Sequence, residues 1–391
     1  MTGRLLVVLI AAFLVATQVF RNAVVSALAD VRPAAAERIW PGHPDVVLSA
    51  GMTSIATAAG HGKAVSASTI GQILHASAKA PLAAEPFLVR GIQAQLSGKD
   101  ELAEEAFLSA EWRDGRSLPA RYFLADYYLR RGDARRGVSE IGALARLAPD
   151  GVGSLAPYVA AYARDRSSWP QLRSLFRSEP VLEDRALLDL AKDPKNADTI
   201  LALSSPERRG PDTLWLTALV GALTTAGQYD KARAMWSAIS RVRLNRAELI
   251  YDPAFRDAEA PPPFNWALTS STVGLAERAR GGGLHVMFYG QEDGVLAKQL
   301  LILPAGRYRL SAPLAGGAIH AESLRWTLVC DSTNIPIASV SLVAAARTWS
   351  FDVPASCRGQ RLELSGSSPE LPQRSEVTIR RVGIAAERSS G

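Results

Sequence analysis

The stretch PFLVRGIQAQLSGKDELAEEAFLSA, residues 86–110, decides the fold of the middle of the chain. It holds two apolar segments of helical spacing on either side of Gly98. The same spacing returns after a shift of 34 residues in ARYFLADYYLRRGDARRGVSEIGAL, residues 120–144, and a third copy lies at residues 219–239. Such a pattern predicts antiparallel helical pairs. A fixed period predicts that the pairs stack, since one pair alone cannot bury its apolar face.

These positions resemble the tetratricopeptide repeat. In that family small residues let two helices approach, a turn connects them, and a bulky residue packs the second helix against the first. The resemblance implies a surface for protein contacts rather than for chemistry. It covers residues 84–149 and 213–246, whereas residues 150–212 keep helical patterning but lose the period. The packing roles fall on Gly91, Ala103, Phe107, Ala110, Ala125, Tyr128, Gly132, Ile141, Pro149, Gly227, Tyr229, Ala232 and Trp236.

The first thirty residues predict a signal anchor. Arg4 precedes the apolar run Leu5–Phe20, and Arg21 ends it. This run is short for a membrane span, which needs about 20 apolar residues, and long for the core of a cleaved signal peptide. Ala27-Leu28-Ala29 resembles a cleavage site, so cleavage is the alternative. We expect a single-pass protein of the bacterial inner membrane, anchored through residues 5–20, with the bulk of the chain in the periplasm.

The sequence AEAPPP, residues 258–263, ends the helical part, because consecutive prolines fix φ and remove backbone donors. Short segments with a two-residue period follow, such as Arg307–Leu310 and Arg361–Leu364. Roughly eight to ten such strands predict an antiparallel, jelly-roll-like β-sandwich. The predicted domains are a signal anchor (1–30), a TPR-like helical repeat domain (40–257), a proline-rich linker (258–263), a β-sandwich (264–385) and a disordered tail (386–391).

Cys330 ends one predicted strand and Cys357 follows another. In an oxidising compartment the two could form a disulfide. The alternative is a pair of reduced, buried thiols that behave as small apolar residues.

The β part resembles the carbohydrate-binding sandwiches of modular envelope proteins. The resemblance rests on Phe264-Asn265-Trp266 and on the segments GLHVMFYGQEDG, LPAGRYRLSAPL and FDVPASCRGQRLEL. It implies aromatic rings that stack on sugars and polar groups that bind hydroxyls. The candidate glycan-binding residues are Trp266, Tyr289, Gln291, Glu292, Asp293, Trp326 and Trp349. Alternation with Leu324 and Leu328 predicts instead that Trp326 faces the core, and residues 291–294 also fit a hairpin turn.

The charges and motifs point away from several classes of function. The net charge of +6 is spread along the chain rather than gathered in a stripe, so we expect no nucleic-acid partner. No metal-ligand spacing or nucleophile motif occurs, and we expect no cofactor, no metal and no enzymatic activity.

The layout resembles repeat-containing accessory proteins of bacterial exopolysaccharide systems. We therefore expect a non-catalytic, membrane-anchored periplasmic scaffold in cell-envelope polysaccharide synthesis or export, which binds envelope proteins through its helical repeats. One alternative is a glycan-binding protein that acts through the sandwich, with polysaccharide as its partner. The other is an unrecognised carbohydrate-active enzyme.

Overall fold

The computed structural model describes residues 2–61, 65–244 and 248–387 of the chain. The chain forms two compact units, Met1–Val152 and Gly153–Gly391. The first unit is helical, and the second contains helices followed by antiparallel β-sheets. The order of an apolar N-terminal helix, TPR-like helical pairs and a C-terminal β-sandwich confirms the fold class predicted from the sequence.

The first unit consists of helices that pack mainly against their neighbours in the chain. Residues 149–151 form a 3₁₀ turn after the last of them. The helices are α1 (Thr2–Ala29), α2 (Pro33–Ile39), α3 (Pro44–Gly60), α4 (Ala67–Ala76), α5 (Glu85–Leu96), α6 (Asp100–Arg113), α7 (Leu118–Arg130) and α8 (Ala134–Leu147).

Two helical pairs, α5–α6 and α7–α8, carry the predicted repeat. Gly98 and Gly132 occupy equivalent turns and adopt φ values of +68° and +75°, a region that residues with a Cβ rarely enter. The ring of Phe107 on α6 fills the space beside Gly91 on α5, where any Cβ would overlap it. The repeat period therefore reflects an equivalent glycine turn in both pairs and, in the first pair, the close contact of Gly91 with Phe107.

The second unit begins with further helices. Prolines open several of them, as Pro180 does for α11, because the first helical position needs no N–H donor. Residues 150–212 are thus helical although they lack the period, as the patterning predicts. The helices are α9 (Val152–Tyr162), α10 (Trp169–Ser178), α11 (Pro180–Leu190), α12 (Ala197–Leu203), α13 (Leu214–Thr225) and α14 (Tyr229–Ile239).

Among the described residues of the second unit, the β part has three antiparallel sheets, with strand orders β1-β4-β9-β6-β7, β10-β3-β2 and β11-β5-β8. A short helix, α15 (Leu342–Ala345), follows β7. The strands are β1 (Ala267–Leu268), β2 (Gly274–Arg278), β3 (Leu284–Phe288), β4 (Gly294–Leu301), β5 (Gly306–Ser311), β6 (Leu324–Cys330), β7 (Ile335–Ser341), β8 (Trp349–Val353), β9 (Gln360–Gly366), β10 (Ser375–Ile379) and β11 (Gly383–Ala386).

The core of the sandwich includes residues that precede the proline-rich segment. Ile250 and Phe255 are buried in the same apolar cluster as Trp326 and Phe288. At the other end of the chain, β11 reaches Ala386, which pairs with Tyr308 and so lies one residue inside the stretch predicted as a tail. Residues 388–391 of that predicted tail lie outside the described residues.

Helix α14 packs against the sandwich within the second unit. The indole N–H of Trp236 donates to the carbonyl of Pro261 at 2.7 Å. Its ring lies 5.6 Å from the ring of Phe264 and 5.1 Å from that of Tyr251. The proline-rich segment is therefore a packed connection, and its backbone takes part in holding the last helical pair to the sheets.

Candidate functional site

Helix α1 has an exposed apolar half. The large apolar side chains from Leu6 to Phe20 are each more than half exposed, and Phe20 is 71% exposed. Leu6–Ala29 is long and apolar enough to be a membrane anchor or a signal sequence. The run Leu5–Phe20 that the sequence marks as short is part of a longer helix, since Arg21 does not end it.

The other half of α1 belongs to the folded unit. Val25 and Ala29 are buried in a cluster with Ala36 of α2 and Val46 of α3. The hydroxyl of Ser49 donates to the carbonyl of Ala29 at 2.8 Å. The same helix is therefore exposed and apolar at one end and packed at the other.

Polar contacts tie the packed half to α2 and α3. The Arg21 guanidinium donates to the carbonyl of Ile39 at 2.7 Å and lies 4.5 Å from the Trp40 ring centroid. The Asp45 amide faces Nδ1 of His43 at 3.3 Å, so Nε2 carries the proton that it donates to Asn22 Oδ1 at 2.9 Å. The spacing of Val25, Leu28 and Ala29 is the sequence signal for this packed face.

The residues assigned to repeat packing lie on the helices and in their turns, and Tyr229 and Trp236 also contact the sandwich. Gly132 and Gly227 lie in turns, and Pro149 opens the 3₁₀ turn after α8. Tyr229, Ala232 and Trp236 are in the second unit, on α14. Those buried in the first unit are Gly91, Ala103, Phe107, Ala110, Ala125, Tyr128 and Ile141.

A polar network that sequence patterns do not reveal joins α6, α7 and α8. Glu104 accepts from the Tyr127 hydroxyl at 3.0 Å and from Arg136 at 2.8 Å. The Arg136 guanidinium lies 4.3 Å from the ring centroid of Tyr128. Burial raises the pKa of Tyr128 to about 12, and the Glu104 carboxylate adds to this effect. The charge of Glu104 is thus paired with a partly exposed arginine of α8, and the network connects the three helices.

Two carboxylates with raised pKa values have structural partners. Burial raises the pKa of Glu140, which pairs with Arg121 at 2.8 Å. Burial also raises the pKa of Glu183, which accepts from the Ser205 amide at 2.6 Å and pairs with Arg208 at 3.1 Å. Among the residues the structure describes, no group of three or more His, Cys, Asp or Glu side chains could hold a metal ion.

The glycan-binding residues proposed from the sequence are not brought together as one platform. Trp266 is 2% exposed and its ring packs 4.8 Å from that of Phe255, so its faces are not available for stacking on a sugar. Trp326 is fully buried, as its alternation with leucines predicts. Trp349 is half-buried in another sheet, where its ring contacts Phe351 at 5.0 Å.

The remaining candidates form an exposed loop after β3. Tyr289 is 37% exposed, and Gln291, Glu292 and Asp293 are exposed. Asp293 accepts from the Ser368 amide at 2.6 Å, and Glu292 accepts from the Thr272 hydroxyl. The two carboxylates therefore already fix the loop to its neighbours.

The two cysteines lie beside the contact with α14. Cys330 and Cys357 form a disulfide in the structure. Asp331, next to Cys330, accepts from the Tyr229 hydroxyl at 3.1 Å and pairs with Arg361 at 3.0 Å. Gly359 lies against the Tyr229 ring and leaves no space for a Cβ. The disulfide thus joins the two loops that contact Tyr229.

Parts of the chain are similar to solved structures, at low scores. Accessory secretory protein 1,2 and 3 in Streptococcus pneumoniae has a TM-score of 0.26 and 10% identity, over 38% of this chain and 100% of that chain. TmCBM61 in complex with beta-1,4-galactotriose has a TM-score of 0.24 and 15% identity, over 36% and 99%. The P58(IPK) TPR domain has a TM-score of 0.23 and 15% identity, over 58% and 74%. No family model and no curated protein matches the chain.

Proposed function

We propose that this protein is a non-catalytic scaffold anchored in a bacterial envelope membrane. The observation that carries the proposal is the continuity of α1, whose exposed apolar half passes directly into a half packed against α2 and α3. The anchor holds the helical pairs close to the membrane and raises the local concentration of membrane-bound partners. Stacked helical pairs supply broad surfaces for protein contacts.

The proposed location is the bacterial inner membrane, with the bulk of the chain in the periplasm. The Cys330–Cys357 disulfide supports it, because disulfides persist in oxidising compartments.

The proposed partners are envelope proteins of exopolysaccharide synthesis or export. This part of the proposal rests on the resemblance of the layout to accessory proteins of such systems.

The perturbed carboxylates support a scaffold rather than a catalyst. Glu140 and Glu183 each pair with an arginine that belongs to the same helical framework. Ion-pair networks that hold a fold together shift pKa values as active sites do. The two carboxylates with raised pKa values are thus used in packing.

Complementation of a deletion strain tests the anchoring role. Residues 2–20 are replaced either by an unrelated membrane-spanning helix or by a cleavable signal peptide, with residues 21–391 unchanged. We expect the first chimera to restore surface polysaccharide and the second to fail, although both chains leave the cytoplasm. Full complementation by the released chain would contradict the proposal.

A pull-down from solubilised membranes tests the contact role of the repeats. Trp112 is 76% exposed on α6, and exposed tryptophans are frequent hot spots in protein interfaces. We expect Trp112→Ala to lower recovery of co-purifying envelope proteins about tenfold. Leu371→Ala, at an exposed apolar residue of the sandwich, is the matched control and should leave recovery unchanged.

Glycan binding by the sandwich is the alternative, and the exposed ring of Tyr289 favours it. A glycan array probed with the full chain and with Tyr289→Ala tests this function. Binding that the substitution abolishes would support it, and binding to no glycan would count against it.

A further inference from the structure

The last residue of α2 and the start of the turn that leads to α3, residues 39–42, are here named the α2–α3 corner. Helix α2 runs back along α1: the Arg32 amide donates to Leu28 at its start, and Ile39 accepts from Arg21 at its end. Helix α3 then runs in the direction of α1, since Asp45 contacts Ser26. Farther along, Ser49 contacts Ala29. The corner therefore lies beside Arg21, next to the end of the exposed apolar run.

The four residues of this corner are uncharged and partly apolar, and the exposed Glu37 and Arg38 come directly before them. Ile39 is 38% exposed, Pro41 and Gly42 are exposed, and Trp40 is half-buried. Tryptophan is enriched at the interface between lipid and water, where its ring is partly in apolar surroundings. The long side chain of Arg21, which contacts Trp40, can keep its charge at the level of lipid headgroups.

The length of the apolar run brings the corner to the membrane. Val25 and Ala29 are packed against α2 and α3, so the part of α1 free to enter lipid ends near Phe20. The run Leu5–Phe20 has a helical length of about 24 Å, whereas the hydrocarbon core of a bilayer is about 30 Å thick. The difference is about one helical turn. A span of this length draws the level of Arg21 to the boundary of the hydrocarbon, and the corner with it.

We propose that the α2–α3 corner is a second membrane contact, in which Ile39 and Trp40 enter the interfacial layer of a phospholipid bilayer. The first unit then rests on the bilayer surface on the side of the folded chain. This inference rests on the proposed anchoring by α1 and adds the surface through which the unit meets the lipid.

Quenching by brominated lipids tests the contact. The full-length chain is reconstituted into phosphatidylethanolamine–phosphatidylglycerol vesicles with bromine near the glycerol end of the acyl chains. Since the chain has eight tryptophans, contact by Trp40 alone would quench up to one eighth of the emission. We expect Trp40→Phe to remove this quenched component and Trp112→Phe, at an exposed tryptophan of the same unit, to retain it.

A second variant tests the contact in a chain that keeps Trp40, so that misfolding of Trp40→Phe cannot decide the result. Ile39→Asp keeps every tryptophan and places a carboxylate at the corner, so it should also reduce the quenching, with an unchanged near-ultraviolet circular dichroism spectrum. Equal quenching in the wild type and both corner variants would overturn the inference. Flotation with the vesicles separates the two proposals, because a chain that does not float refutes anchoring itself, whereas a floating chain with unquenched Trp40 refutes only the corner contact.

Discussion

At the scale of single residues, Gly91 sets the distance between α5 and α6. We expect Gly91→Ala to lower the free energy of unfolding by about 1–3 kcal/mol, because the added methyl group overlaps the buried Phe107 ring and one helix must shift. Chemical denaturation of the solubilised chain measures the change.

Gly71 provides the matched control. It is exposed within α4, and a Cβ there would meet nothing within 4 Å. Gly71→Ala should leave stability unchanged or raise it by about 0.5–1 kcal/mol through helix propensity. Equal effects of the two substitutions would show that the contact with Phe107 does not set the spacing.

We expect Tyr229 to make the free energy of unfolding depend on pH in the alkaline range. Burial, with a contribution from the Asp331 carboxylate, raises its pKa from 10.0 to about 12. Between these values the unfolded chain loses this proton first, so stability falls as pH rises. We expect Tyr229→Phe to cost about 0.5–1.5 kcal/mol at neutral pH, where it removes one hydrogen bond.

The same variant should lose less stability than the wild type between neutral pH and pH about 11. Denaturant unfolding at both pH values gives the comparison. Parallel losses in the two proteins would mean that Tyr229 does not contribute to the alkaline decline.

The sequence predicts the position of a residue well where a short-range period determines that position. Gly91 and Phe107 follow from spacing within one helical pair, and both are buried there. Trp266 does not follow, because its burial depends on Phe255 and on Trp326, which is far along the chain. Trp266 lies just before β1 and outside any alternating stretch, so its sequence neighbours give no sign of its burial, whereas Trp326 alternates with leucines that do.

At the scale of elements, α1 has an exposed apolar half and a half that is packed in the folded unit. Truncation should separate the contribution of each half to stability. A chain that begins at Arg21 keeps Val25 and Ala29 in their cluster, whereas a chain that begins at Asp30 loses them. We expect the shorter chain to be less stable by about 2–5 kcal/mol, as for loss of buried apolar side chains. Thermal unfolding of the two purified chains measures the difference.

A further outcome concerns cleavage after Ala29. Because Ala29 is buried, the protein isolated from membranes should retain its first helix, which intact mass would reveal. Equal stability of the two truncated chains would show that burial of Val25 and Ala29 does not stabilise the fold. There would then be no reason to expect that the first helix is retained.

The strands illustrate what alternation can predict. Strands β3, β5 and β9 follow from a two-residue period. Strand β2 does not, because its inward positions are Gly274 and Ala276. Residues 375–386 form two strands of different sheets, β10 and β11, since the Arg380 and Val382 amides between them bond outside the sheets.

At the scale of the molecule, the sheets and the last helices share one compact unit. The contact between Tyr229 and Asp331 joins residues 102 positions apart, so no sequence period predicts it. The proline-rich segment marks a change of secondary structure in the sequence. The predicted domain limits at residues 257 and 264 remain a prediction.

We expect Trp236→Ala to loosen the sandwich from the helices of its unit. The substitution leaves a cavity between α14 and Phe264 and should cost about 3–5 kcal/mol. Circular dichroism should then show helix and sheet melting at different temperatures. Trp236→Phe is the control, since it keeps an aromatic ring and loses the bond to Pro261. A single shared transition in the alanine variant would contradict this coupling.

Helix α1 passes from its exposed run into the folded unit as one helix. Because α1 is one continuous helix, a tilt of its lipid-facing end would rotate the first unit through the same angle. Spans tilt by about 20° on average, and the angle depends on the thickness of the surrounding lipid. The lipid composition of the membrane would thereby change the orientation of Trp112 and its neighbours relative to the bilayer.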